Sequence, residues 1–257
     1  MINIKSRKEM DAMRAAGKIV GEALEVAREN IIAGISTFSL DRIVESYIIK
    51  NGASASFRGQ KCLEGAIDYP ACCCISINDE VIHGIPGDRV LKDGDIVSID
   101  VGAYYKGFHG DAARTFAVGA ISDEAKKLIE VTQESFFKGI SKAIPGNRIN
   151  DISGAIEDYV LENGFSIVKD FTGHGIGRNL HEEPSIPNYR TRYKGVRIQE
   201  NMTLAIEPMV NYGEEAIDVL GNKWTIVTVD GSLSAHYENT IAVTGSGVEI
   251  LTMIGGK

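Results

Sequence analysis

The stretch GISTFSLDRIVESYIIKNG, residues 34–52, occurs a second time in this chain as GNRINDISGAIEDYVLENG, residues 146–164. The two copies align without a gap, so that a glutamate, a tyrosine and an Asn-Gly pair coincide. Apolar residues recur in each copy at the spacing of an amphipathic helix, and Asn-Gly favours a helix end. The repeat therefore predicts two matching helices, one in each half of a duplicated fold.

A longer segment with helical periodicity precedes each copy, at residues 7–31 in the first half and 123–141 in the second. Ser122 stands immediately before the second segment, and serine is a favourable N-cap. The acidic residues that follow it, Asp123 and Glu124, suit the positive end of a helix dipole. We therefore expect each half to begin with two consecutive helices.

Strand-like segments follow both pairs of helices, and they also echo each other. The matching pairs are LKDGDIVSIDVG (91–102) with IQENMTLAIEPM (198–209), and RTFAVG (114–119) with NTIAVTG (239–245). Each half thus consists of two helices followed by strands, which predicts an α+β fold with the halves related by a pseudo-two-fold axis. We expect a single catalytic domain over residues 1–257, with halves at about 7–119 and 122–250.

Composition excludes some classes of function. The chain has 257 residues, of which 44% are hydrophobic and 24% charged, as in ordinary globular proteins. It has neither a run of about 18 apolar residues nor the apolar core of a signal peptide. The formal net charge of −8 argues against nucleic acid as the main ligand, because nucleic-acid binding depends on lysine and arginine. We expect a cytoplasmic protein that acts on neither membranes nor nucleic acids.

The four cysteines are Cys62, Cys72, Cys73 and Cys74. Neighbouring residues on a strand point to opposite faces, so three consecutive cysteines cannot bind one metal ion. No CxxC pair is present, which argues against a structural zinc site. We interpret these residues as small, reduced, apolar side chains in a buried strand of a cytosolic protein.

Four acidic residues stand beside strand-like apolar segments. Asp100 and Glu207 end matching segments, and Asp111 and Glu238 stand an even number of residues before matching threonines. Even spacing on a strand puts side chains on one face, and a pseudo-two-fold axis would bring all four acids together. Four carboxylates repel one another unless cations bind among them. One divalent ion would leave a net charge of about −2, and two would leave a net charge of about zero. Charge balance therefore predicts a two-metal site.

Two histidines lie in the glycine-rich stretch DFTGHGIGRNLHEEP, residues 170–184, which suits a phosphate loop, a metal site or a simple turn. A phosphate loop requires a helix after its glycines, and prolines interrupt this segment. We expect the glycines to let the backbone approach a crowded centre, with His174 as a neutral nitrogen ligand. His181 and His83 are expected to contact a ligand or the substrate, whereas His109 and His236 are interpreted as structural.

Several motifs identify a family resemblance: SINDEVIHGIP, GDIVSIDVGAYYKGFHGD, FTGHGIGRNLHEEPSIPNY, TLAIEPM and HYENTIAVT. They closely resemble the type I methionine aminopeptidases, metallopeptidases of the pita-bread fold, over about residues 3–252. The resemblance implies a curved antiparallel central sheet with helices on one face. It also implies the metal ligands Asp100, Asp111, His174, Glu207 and Glu238, of which Asp111 and Glu238 would bridge two ions.

The same resemblance assigns further roles. His83 and His181 match histidines that contact the substrate, and Glu207 is the expected proton shuttle. Tyr69, Cys74 and Trp224 match residues that line the pocket for the methionine side chain. Ala66 and Leu180 stand where many relatives carry aromatic residues, so the pocket should differ in shape. Cobalt, manganese, iron and zinc all suit this set of ligands.

The residues and the resemblance together predict hydrolysis of the first peptide bond of nascent polypeptides, near the ribosome. The resemblance further implies a monomer that prefers a small second residue. His181 and Glu207 are too close in sequence for the helical insertion of type II enzymes, and we expect no N-terminal extension. One alternative is a proline-directed peptidase of the same fold, although those relatives usually carry an additional N-terminal domain. The other is a peptide-binding module without catalysis, although such modules typically lose metal ligands.

Overall fold

A computed structural model of the chain describes residues 2–62 and 67–253. Its helices are α1 (Arg7–Asn30), α2 (Thr37–Lys50), α3 (Asp123–Ile140) and α4 (Ile149–Glu162). The first-half strands are β1 (Ser54–Ala55), β2 (Cys73–Ile77), β3 (Glu80–Ile82), β4 (Ile96–Tyr105) and β5 (Phe108–Ala117). The second-half strands are β6 (Ser166–Ile167), β7 (Thr172–Gly175), β8 (Glu182–Pro187), β9 (Thr203–Ile206), β10 (Met209–Asn211), β11 (Ile217–Val219), β12 (Ile226–Thr228), β13 (Ser234–His236), β14 (Asn239–Thr244) and β15 (Gly247–Ile250). Within the described part of the chain, no helix combines the length and apolar character needed to cross a bilayer.

Local sequence signals explain where the helices begin and end. Ser122 caps α3 by accepting a hydrogen bond from a backbone N–H of the first turn, as predicted. Asn51 and Asn163 cap the ends of α2 and α4. The glycines that follow have φ angles of +74° and +82°, which a side chain would disfavour. The two matching helices predicted from the repeat are therefore confirmed.

The strands form antiparallel sheets that meet between the two halves. One sheet has the order β1-β4-β2 with β5 paired to β4, and the other has the order β15-β14-β9-β7-β8. They join where the backbones of Ala113 in β5 and Glu238 beside β14 exchange hydrogen bonds of 2.9 and 3.3 Å. Two smaller sheets, β13-β10-β6 and β11-β12-β3, lie outside this pairing. The seam between β5 and β14 thus brings distant parts of the chain together.

The helices cover one face of these sheets, and the acids project from the other. Ile99 and Val101 of β4 pack in a buried cluster with residues of α1 and α2. Because side chains alternate along a strand, Asp100 between them points away from the helices. Ile241 and Val243 of β14 pack likewise with residues of α3 and α4. Fully burying such a side chain contributes about 1.5–3 kcal/mol, so the helix-facing positions fix which face carries the acids.

The three consecutive cysteines lie at or directly before the start of β2 and are buried. Cys72 and Cys73 are free thiols buried against α1 and α2. Both of their backbone N–H groups donate to the Asp41 carboxylate of α2 at 2.9 Å. Burial raises the pKa of the Cys72 thiol to about 12. The prediction of buried free thiols is confirmed for Cys72, Cys73 and Cys74, the last of which packs in a different cluster, near Tyr69. It is wrong for Cys62, which is half-buried and lies outside the strands.

Candidate metal centre

The predicted ligand residues come from both halves of the chain and line one cavity of about 640 Å³. Asp100 lies on β4 and Asp111 on β5, and these two residues come from the first half. The second half supplies His174 from β7, Glu207 directly after β9 and Glu238 directly before β14. The structure therefore brings together all five groups that the sequence singled out.

The donor atoms in this cavity are close enough to share a cation. One ligand atom each from Asp111, His174 and Glu238 lies within 4.8 Å of the other two. Nε2 of His174 lies 3.6 Å from Oε1 of Glu207. Asp100 on β4 pairs across the sheet with Ala113 of β5, the residue that exchanges hydrogen bonds with Glu238 at the seam. Carboxylates and imidazole together form a donor set that suits divalent transition metals.

Several polar atoms of the cavity have no hydrogen-bond partner. Oδ1 of Asp100, Oδ1 of Asp111 and Oε1 of Glu238 are buried and unpartnered. A buried polar atom without a partner is costly, and such atoms are rare in folded proteins. A divalent ion would compensate all three oxygens at once, so the residues present fit the metal that they were predicted to bind.

Burial and mutual repulsion dominate the electrostatics of the acids. Burial raises the pKa of Asp100 to about 7. The pKa values of Asp111, Glu207 and Glu238 lie well above their ordinary range, first through burial and then through the neighbouring carboxylates. Among the described residues, no lysine or arginine forms an ion pair with these four acids. The cluster is therefore a group of acids without an ion-pair partner among the lysines and arginines that the structure describes.

Arg114, the basic residue nearest to the acids in sequence, is used elsewhere. Its guanidinium donates hydrogen bonds to the backbone carbonyl of Glu238 and to the side-chain oxygen of Asn239. It also stacks over the ring of Tyr237, with 4.2 Å between the guanidinium carbon and the ring centroid. Arg114 thus supports the backbone at the seam, and its charge lowers the pKa of Glu238 by less than burial and the neighbouring acids raise it.

The glycines around His174 orient its imidazole. Nδ1 lies 2.8 Å from the carbonyl oxygen of Gly175, which can only accept, so Nδ1 carries the proton and Nε2 keeps its lone pair. Burial lowers the pKa of His174 to about 4, which keeps the ring neutral. A Cβ on Gly173 would lie 2.4 Å from the carbonyl oxygen of Ala205, and one on Gly175 would lie 2.2 Å from that of Glu183. The expected close approach of this backbone is confirmed.

His181 and His83 both line the cavity. The ring of His181 meets that of His174 edge-on, with 4.5 Å between their centroids. His83 has a φ angle of +58°, an uncommon conformation for a residue with a side chain. Its ring makes edge contacts with Phe171 and Trp224, and burial lowers its pKa to about 4. Both imidazoles are placed to contact a molecule inside the cavity.

Tyr69, Cys74 and Trp224 form one wall of the same cavity. The hydroxyl of Tyr69 donates to the carbonyl of Gly84 at 2.9 Å, and its ring meets that of Trp224 edge-on at 5.1 Å. Leu180 also lines the cavity, whereas Ala66 lies outside the described residues. The wall is aromatic and apolar, and the indole N–H of Trp224 donates to the backbone carbonyl of Ile67 at 2.9 Å.

The two histidines interpreted as structural have different surroundings. His109 lies with Nδ1 2.9 Å from Oγ of Ser56, in agreement with that interpretation. His236 is buried, and its Nε2 lies 3.7 Å from Oε2 of Glu207 without a hydrogen-bond partner. The sequence reasoning did not place His236 beside the acids. Its even spacing from Glu238, two residues along, is the signal that could have identified it.

Comparison with known proteins gives consistent results. The sequence profile of metallopeptidase family M24 matches residues 11–245. Methionine aminopeptidase from Clostridium perfringens is 56% identical over 254 residues, covering 99% of this chain and 100% of that protein. Methionine aminopeptidase 1 from Bacillus subtilis is 50% identical with the same coverage. The crystal structure of methionine aminopeptidase from Thermotoga maritima superposes with a TM-score of 0.94 at 44% identity, covering 99% of this chain and 100% of that one.

Proposed function

The chain belongs to metallopeptidase family M24, and on this premise we propose that it removes the N-terminal methionine from polypeptides by hydrolysing the first peptide bond. The observation that carries the proposal is the convergence of five donor groups at an apolar cavity of about 640 Å³. Pockets of this size enclose small ligands or single side chains with their adjoining backbone. The identity of 56% to a methionine aminopeptidase supports methionine as the side chain that enters.

Membership of this family implies a divalent metal cofactor. We propose two ions, because two dications balance four carboxylates whereas one would leave about two negative charges. The residues that would hold them are Asp100, Asp111, His174, Glu207 and Glu238. The donor set suits cobalt, manganese, iron or zinc. Bound ions of this kind supply Lewis acidity and an activated water for hydrolysis.

Three residues at the cavity are proposed to transfer protons or donate hydrogen bonds during hydrolysis. Glu207 is the proposed proton shuttle, because its carboxylate lines the cavity, with Oε1 3.6 Å from Nε2 of His174, where it could take a proton from the attacking water and return it to the leaving amine. His83 and His181 are proposed to donate N–H groups to the scissile amide and to the oxyanion that develops from it. A well-placed donor of this kind contributes about 3–4 kcal/mol to the transition state.

The wall formed by Tyr69, Cys74 and Trp224 is the proposed pocket for methionine. Aromatic rings and a buried thiol give a soft, polarisable surface that suits a thioether. The edge contact between Tyr69 and Trp224, at 5.1 Å, holds that surface in one arrangement. By resemblance to the type I methionine aminopeptidases, we propose a preference for a small second residue.

The setting in the cell follows from this substrate. Polypeptides that begin with methionine emerge from ribosomes, so we propose that the enzyme acts in the cytoplasm, near the ribosome, on nascent chains. We propose that it does so as a monomer, as a single catalytic domain over residues 1–257, with halves at about 7–119 and 122–250. Both halves contribute proposed ligands, which is why neither would be sufficient alone.

The decisive experiment is removal of all metal, followed by re-addition of single ions. Methionine release from Met-Ala-Ser should disappear on chelation and return with at least one of cobalt, manganese, iron or zinc. Ala-Pro-Ala serves as the control peptide, and it should be cleaved much more slowly. Preferential cleavage of Ala-Pro-Ala would indicate a proline-directed enzyme. Peptide binding without any metal-dependent hydrolysis would indicate a non-catalytic module.

A further inference from the structure

The segment before α1 forms a buried ion pair with the residue that follows His181. Nζ of Lys5 lies 2.7 Å from Oε2 of Glu182, and the two side chains are only 5% and 3% exposed. The side-chain amide of Asn3 donates to the same oxygen at 3.1 Å. The other oxygen, Oε1, accepts from the backbone N–H of Asn179 at 3.2 Å. The Glu182 carboxylate is thus bound on one side by the N-terminal segment and on the other by residues 176–182, which we name the His181 loop.

Gly177 makes room for this pair. A Cβ on Gly177 would lie 2.6 Å from Nζ of Lys5 and 2.7 Å from Oε1 of Glu182. The carbonyl of Gly177 accepts a hydrogen bond from the backbone N–H of His109 on β5, at 2.8 Å. The ion pair therefore occupies the volume that a side chain would take, and the loop closes around it.

A second contact between the same two segments lies on the surface. Arg178 of the His181 loop donates to Oε1 of Glu9 at 3.0 Å, and its guanidinium stacks over the ring of Phe108 at 4.8 Å. The backbone N–H of Lys5 donates to the carbonyl of Asn201 at 3.0 Å, which anchors the segment that supplies Lys5. These contacts hold the loop from its outer side, while His181 lines the cavity on its inner side.

We propose that Lys5 is a positioning residue that acts through Glu182 to hold the imidazole of His181 against the cavity. The inference rests on the proposed function, in which His181 donates to the reacting amide. Lys5 does not line the cavity, and its ammonium group forms an ion pair with Glu182. Lys5 therefore does not contact the substrate itself. A buried charge pair holds its partners only in good geometry, and removal of one partner leaves the other unpaired. Small displacements of a catalytic group reduce turnover strongly.

The first test compares Lys5→Met with wild type on Met-Ala-Ser. We expect kcat to fall about tenfold or more, in line with the sensitivity of catalysis to small displacements, while KM and bound metal change little. Lys5→Arg keeps the charge and should restore most of the loss. The control is Arg14→Met, which breaks the more exposed ion pairs of Arg14 with Glu249 at 2.7 Å and Asp11 at 2.8 Å, neither of which involves the His181 loop. That control should behave as wild type.

The second test asks whether Lys5 acts through His181. In a His181→Ala background, Lys5→Met should change the residual kcat by no more than about twofold, because residues that act as a unit are non-additive. A general effect on folding would instead persist in that background. An unchanged kcat in folded Lys5→Met, or an equal loss in both backgrounds, would overturn the proposal.

A third variant covers the case in which Lys5→Met fails to fold because Glu182 is left unpaired. Lys5→Met combined with Glu182→Gln removes both charges and leaves no buried ion, yet it should still reduce kcat and speed amide exchange in the His181 loop. Wild-type kcat with unchanged exchange would overturn the positioning role. A wild-type protein that releases no methionine would instead overturn the proposed function, so the two failures are distinguishable.

Discussion

Replacing Asp111 with asparagine should stabilise the metal-free protein at pH 7.5, although this side chain is only 4% exposed. The reason is repulsion, since ligand atoms of Asp111 and Glu238 lie within 4.8 Å of each other. Two unit charges at that distance repel by about 3 kcal/mol at an effective dielectric constant of about 20. Proton uptake relieves part of this, because the pKa of Asp111 is raised by burial and by its neighbours. We expect a gain of about 1–3 kcal/mol in the free energy of unfolding.

The gain should depend on pH in a defined direction. A carboxyl group whose folded pKa is raised binds more protons in the folded state than in the unfolded state, so stability falls as pH increases through that window. For Asp100 the window runs from an ordinary value of about 3.9 to a folded pKa of about 7. Metal-free wild type should therefore lose about 1.4 kcal/mol per pH unit for each such proton. The advantage of Asp111→Asn should be smaller at pH 5 than at pH 7.5.

Urea unfolding of chelator-treated protein, followed by circular dichroism at both pH values, measures these differences. Asp41→Asn is the matched control, because Asp41 is 3% exposed and its carboxylate accepts two backbone N–H groups at 2.9 Å. It should destabilise by about 1 kcal/mol or more, since bonds to a charged acceptor are the stronger ones. Added divalent metal should reverse the order of wild type and Asp111→Asn. A metal-free Asp111→Asn protein that is less stable than wild type at pH 7.5 would refute the repulsion argument.

Three further outcomes are expected. His181→Ala should lower kcat by about 10²–10³, the range for loss of one oxyanion donor, with metal content unchanged by elemental analysis; an equal loss of metal would make His181 a ligand instead. Gly173→Ala should cost about 1–3 kcal/mol in thermal unfolding, because its Cβ would lie 2.4 Å from the Ala205 carbonyl oxygen, and it should weaken metal binding by the adjacent histidine; an unchanged melting temperature would contradict this. Cys62 should be alkylated before the three buried cysteines, and mass spectrometry that finds Cys73 modified first would contradict it.

The helices were predictable because their signals are local. The repeated segments carry their own periodicity, their caps and their Asn-Gly ends, and the structure begins α3 after Ser122 and ends α2 and α4 at asparagines. The convergence of acids was predictable for a different reason. Two halves with matching carboxylates bring them together near a shared axis, and alternation along each strand selects the face. Asp100 and Asp111 accordingly line one cavity with the acids of the second half.

Contacts between remote segments of unlike sequence could not be predicted. Lys5 and Glu182 are 177 positions apart, and neither lies in the repeated pattern, so nothing local marks them as a pair. His236 was interpreted as structural, and only the tertiary fold puts its Nε2 3.7 Å from Oε2 of Glu207. The division of the strands into separate hydrogen-bonded sheets likewise depends on twist and bulges rather than on residue type.

The seam between β5 and β14 has a consequence for the lifetime of the enzyme. It is held by a pair of backbone hydrogen bonds at Ala113 and Glu238 and by side-chain hydrogen bonds of Arg114, Thr115 and Thr240. Carboxylates that repel one another face each other across it. Cations bound between the carboxylates would stabilise the contact between the two halves, in addition to taking part in hydrolysis. A shortage of metal in the cell would then lower the stability of the fold as well as the activity. The less stable metal-free protein would be degraded faster by proteases. Metal supply would thereby control how much of the protein survives, in addition to how fast each copy works.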